Sequence, residues 1–94
     1  EEVTMANKRN LKRYISFVCD ELLAECMAAS LYGTKETREN AEAIIFSIAK
    51  IGREFRSRVS HPEPGMKPKV YFKNLTEKFN AGAVELMDQI NNLY

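Results

Sequence analysis

Residues 60–69 read Ser-His-Pro-Glu-Pro-Gly-Met-Lys-Pro-Lys and hold all three prolines of the chain, Pro62, Pro64 and Pro68. Proline has no backbone N–H, clashes with the preceding turn and pushes the residue before it out of helical geometry. No continuous helix crosses this stretch, so the apolar repeats on its two sides belong to separate elements. Before it, a helix is expected over about 37–58. Its face is Ala41, Ile44, Ile45, Ile48, Ile51, Gly52, Phe55 and Val59, at 3.6 residues per turn. Gly52 lies within that face and costs helix stability there, which points to close approach of a neighbouring helix. After it, a helix over about 70–93 carries Phe72, Leu75, Phe79, Ala83, Leu86, Ile90 and Leu93, with Met87 and Tyr94 flanking. Asn74-Leu75-Thr76-Glu77 has capping-box spacing, so this helix starts there or earlier, near Pro68, because Phe72 fits the same wheel.

Upstream, residues 7–31 form a third pattern: Leu11, Tyr14, Ile15, Val18, Cys19, Leu22, Cys26 and Ala29 share one side. Gly33 offers a left-handed stop, and Thr34 a fresh N-cap. A link of a few residues makes consecutive helices antiparallel neighbours. The expectation is an all-α, up-down-up three-helix bundle, one domain over residues 1–94 with a Pro-rich loop at 60–69. A core this small gives modest stability, so self-association would complete it. Phe17, Phe46 and Val84 fall off the three core faces and are the expected interface, with a homodimer as the first partner and another protein as the alternative.

The composition, 45% hydrophobic and 29% charged, excludes disordered and low-complexity classes. There is no run of 18 apolar residues, so no membrane-spanning helix is expected, and the first ten residues lack the apolar run of a signal peptide. The chain begins with Glu1, which reads as a fragment or a processed form. Cys19 and Cys26 are seven residues apart on one helix, about 10 Å along its axis, beyond the roughly 7 Å that a disulfide spans. They read as reduced, buried thiols of a cytoplasmic protein. No Gly-rich phosphate loop, paired-histidine motif or serine nucleophile elbow is present, and neither a cofactor nor a metal is called for.

The net charge of +1 conceals a sorting of charge along the chain. Lys8, Arg9, Lys12 and Arg13 give +4, residues 50–58 give +3 and residues 67–78 give +3, while residues 20–42 give −4. In an up-down-up bundle all three basic clusters fall at one end. The helix dipole favours cations only at the end of the second helix and opposes them at the starts of the other two. The basic end, built from Lys8, Arg9, Lys12, Arg13, Arg53, Arg56, Arg58, Lys69 and Lys73, is therefore a candidate surface for nucleic acid, or for the acidic end of another molecule in an assembly.

His61 is the only histidine. The run Phe55-Arg56-Ser57-Arg58-Val59-Ser60-His61 resembles the Arg-x(4–6)-His motif of HEPN domains, small all-helical proteins many of which are metal-independent ribonucleases. The resemblance implies Arg56 and His61 as a catalytic pair meeting across a dimer cleft, with Arg58 as a phosphate contact. It covers seven of 94 residues. HEPN domains usually have four or more helices where three are expected here, and Pro62 replaces the small residue often found after the histidine. Read from the residues alone, His61 is a loop histidine ending a helix beside two prolines. The leading expectation is a non-enzymatic protein-interaction module. Nucleic-acid association, with ribonuclease chemistry as its enzymatic form, is the alternative.

Overall fold

A computed structural model describes residues 7–93. Glu1 and Glu2, and Tyr94, lie outside the described residues. Three helices are present, α1 Lys8–Leu31, α2 Lys35–Ser60 and α3 Pro68–Asn91, with no strand among the described residues. Each helix packs against both others in a bundle 49 Å long. The all-α three-helix architecture follows the apolar stripes.

Local chemistry sets the ends. The Asn7 side chain accepts from the N–H groups of Arg9 and Asn10, which caps α1. Thr34 caps α2 through its hydroxyl, which accepts from the Thr37 N–H at 3.2 Å. At the other end of α2, His61 N–H donates to the Ser57 carbonyl at 3.1 Å. Helix α3 begins with Pro68 in its first turn, where the missing N–H has no intrahelical partner to lose. The Asn74 capping box is not used; Asn74 lies inside the helix. Gly33 also departs from expectation. The one positive-φ residue described is Gly65, φ 89°, in the Pro-rich loop. A Cβ at Gly33 would instead overlap the Thr37 side chain, so steric room rather than a left-handed stop calls for glycine there.

The core is one cluster. Leu11, Ile15 and Cys26 of α1 meet Ile48, Phe55 and Val59 of α2 and Phe72, Phe79 and Ile90 of α3. Phe79 lies edge-on to both Phe55 and Tyr14, with centroids 5.5 and 6.0 Å apart. Glycines let the helices close: a Cβ on Gly52 would stand 3.1 Å from Cys19 Sγ, and one on Gly82 would stand 2.7 Å from Ile51 Cδ1.

Cross-helix bonds give the register. Cys26 Sγ reaches the Ala41 carbonyl and Tyr14 the Asn80 side chain. Residue 14 of α1 is therefore level with about residue 80 of α3. At about 1.5 Å per residue, α3 is displaced roughly 9 Å towards the end that holds the Pro-rich loop. The far end, around the α1–α2 turn, is two helices thick.

Candidate functional site

A shallow groove of about 360 Å³ runs between α1 and α3, lined by Tyr14, Phe17, Val18, Glu21, Leu22, Asn80, Ala83, Val84 and Met87. Tyr14 and Val18 sit on the flank of the α1 stripe and Met87 on the flank of the α3 stripe, partly covered against the core. Tyr14 hydroxyl donates to Asn80 Oδ1 at 2.6 Å, a short bond that joins the two helices. Phe17 and Val84 stand at the rims, 62% and 61% exposed. Two of the three expected interface residues thus come together. Phe46, 68% exposed, belongs to α2, which lends no residue to this groove.

The nine expected nucleic-acid contacts stand on the first turns of α1, the last turns of α2 and the first turns of α3. Neither α1 nor α3 has an acid in its first turn, and Lys67, the N-cap of α3, makes no side-chain cap bond. Two helix N-termini, each carrying partial positive charge, therefore sit among cations. The nine are not equivalent. Arg58 is paired with Glu54 at 2.9 Å, the one ion pair among the described residues, and its guanidinium lies 4.9 Å from the Phe55 ring centroid. Arg56 turns towards α1, where Nη1 donates to Ser16 Oγ at 3.4 Å. Lys8, Arg9, Arg13, Arg53, Lys69 and Lys73 are exposed, and Lys12 is half-buried.

His61 lines a different cavity, an open cleft of about 570 Å³ between the end of α2, the Pro-rich loop and the start of α3. Its other polar walls are Arg58, Glu63, Tyr71, Asn74 and Lys78. Nδ1 lies 2.9 Å from the Ser57 carbonyl. A carbonyl only accepts, so Nδ1 carries the proton and Nε2 is the nitrogen left for other partners. Tyr71 hydroxyl donates to the Arg58 carbonyl at 2.9 Å and lies 3.4 Å from the His61 carbonyl, which ties the loop to α3. Within one chain Arg56 and His61 do not share this cleft; Arg58 is the arginine beside His61. With Arg58 neutralised by Glu54 and Glu63 in the wall, the cleft holds little net positive charge.

The cysteines, Cys19 and Cys26, are free and buried. Burial pushes the Cys19 thiol up, opposed by the Arg56 charge and assisted by Asp20; burial alone raises Cys26. Among the described residues no three His, Cys, Asp or Glu side chains are placed to hold a metal ion, and no helix is long and apolar enough to cross a membrane.

The Tyr14–Asn80 bond escaped the sequence reading, although a polar residue on the flank of an apolar stripe was its available signal. Exposed Met27, Leu31, Tyr32 and Val70 also went unread. The chain matches no protein-family model, no curated protein and no solved structure.

Proposed function

We propose that this chain is a non-enzymatic helical module that works by protein–protein contact through its α1/α3 face, with a second copy of itself as the first partner. The observation that carries the reading is the meeting of Phe17 and Val84 across one groove, over Tyr14, Val18 and Met87. Apolar area removed from water is worth about 25 cal/mol per Å², and a domain this small has little core of its own to rely on. A cytoplasmic setting belongs to the reading, supported by two free, buried thiols. Light scattering at micromolar concentration is expected to give about twice 10.8 kDa. Phe17→Glu or Val84→Glu is expected to shift the mass to that of a monomer while helical circular dichroism stays. A wild-type monomer at hundreds of micromolar would overturn the reading.

The basic end supports a second reading, association with nucleic acid. Its specific support is the placing of unpaired cations at two helix N-termini, where helix stability alone disfavours them. The enzymatic form of this reading would cleave RNA without added metal and lose cleavage, but not binding, in His61→Ala.

A further inference from the structure

We infer, resting on the self-association reading, that the second copy lies antiparallel on the α1/α3 face, about a two-fold axis that crosses the helices beside Phe17 and Val84. Tyr14 and Asn80 are hydrogen-bonded, so they share a level. Phe17 is three residues beyond Tyr14 and Val84 four beyond Asn80, which puts the two at one level within about 1.5 Å. A single crossing axis can therefore pass both.

The charges around Phe17 choose the occupant. Arg13, Phe17 and Glu21 form one exposed stripe at i, i+4 spacing, so Arg13 and Glu21 stand about 6 Å to either side of Phe17 along α1. Reversal about Phe17 sets Arg13 of each chain opposite Glu21 of the other, so one stripe is its own complement. On α3, Asn80 and Asp88 stand in the same relation to Val84, and no like charges are opposed there. A parallel two-fold would do the opposite. It keeps every level, bringing Glu21 to the level of Asp88 of the other chain and setting the two basic ends side by side. Exposed ion pairs add little affinity. They select the orientation, while burial of Phe17, Val84 and their neighbours supplies the attraction.

Cysteine cross-linking and charge exchange on the full chain test the arrangement. Under mild oxidation Phe17→Cys is expected to link to itself, and Val84→Cys likewise, because both sites lie beside the axis. The wild type, with Cys19 and Cys26 buried, is the unlinked control. In sedimentation equilibrium, Arg13→Glu and Glu21→Arg are each expected to weaken the dimer roughly tenfold, since two symmetry-related exposed pairs turn repulsive. The double variant should return to within about twofold of wild type, because the pair is restored with its signs exchanged. All four substituted positions, Arg13, Phe17, Glu21 and Val84, are exposed, and unchanged circular dichroism checks that each variant folds. Phe46→Glu should leave the dimer intact. A dimer that cross-links only when Phe17→Cys is mixed with Val84→Cys, that is not rescued by the double variant, or that dissociates with Phe46→Glu overturns the antiparallel arrangement and leaves self-association standing. A monomeric wild type removes both.

Discussion

Cys26 is fully buried, and its thiol donates to the Ala41 carbonyl at 3.4 Å; Cys19 makes a longer contact, 4.0 Å, with the Ile48 carbonyl. Both thiols are held protonated by burial, so both are expected to react with a thiol reagent only after unfolding. The same burial gives a pH dependence. Each folded thiol titrates above its unfolded value, so the unfolded chain loses its thiol protons first as pH rises past roughly 8.5. Stability from this source is complete below that pH and declines as pH climbs towards the raised folded values. Urea midpoints taken from neutral to alkaline pH should fall less in the Cys19→Ala/Cys26→Ala variant than in wild type. Rapid labelling of both thiols in the native protein would mean that α1 does not bury this face. The seven-residue spacing made burial and the absence of an intrahelical bridge legible. The acceptor carbonyls on α2 were not, because they depend on how far one helix slides along another, which no local pattern encodes. The Arg56–Ser16 contact is hidden for the same reason: Ser16 comes from a helix 40 residues away in sequence.

At the scale of the element, the stripes were readable because a 3.6-residue repeat of large apolar side chains has one way to be buried. Every α3 position assigned to the core, from Phe72 to Ile90, is buried, as is Leu93 just past the helix end. On α2, Ile45 and Ile51 mark the edges of the stripe and are only partly covered. Helix ends were less readable, because several signals compete there. Asn74 and Glu77 have capping spacing, yet Pro68 starts α3 six residues earlier, and Phe72 is buried only because it does. Gly33 looked like a left-handed terminator, whereas its small size serves the first turn of the next helix. The groove was half legible. Phe17 and Val84 could each be seen to leave the core face, but their meeting is a matter of register between α1 and α3, and Phe46 shares the same sequence signal without sharing the surface.

For the whole molecule, the consequence of sorted charge is measurable. If the basic end engages nucleic acid, affinity falls steeply with salt, because each neutralised phosphate releases counterion. With about four phosphate contacts, raising salt from about 50 to 200 mM should weaken binding by roughly two orders of magnitude. Lys8→Glu with Lys69→Glu, both exposed, should abolish it without unfolding, as surface charge changes usually alter stability by about 0.5 kcal/mol or less. These lysines lie off the Arg13–Phe17–Glu21 stripe, so the substitution separates this surface from the dimer face. Filter binding to RNA and DNA decides it: no detectable complex at the lower salt removes the reading. The displacement of α3 has its own outcome at the opposite pole. From about residue 28 to residue 40 the chain doubles back with no third helix against it, and Leu31 and Tyr32 remain in water. Local opening is cheapest where the fewest contacts must break. The bundle should therefore unzip from this tip, its amides trading protons for deuterons by partial opening while those around Ile15, Ile48 and Phe79 wait for the entire chain to unfold.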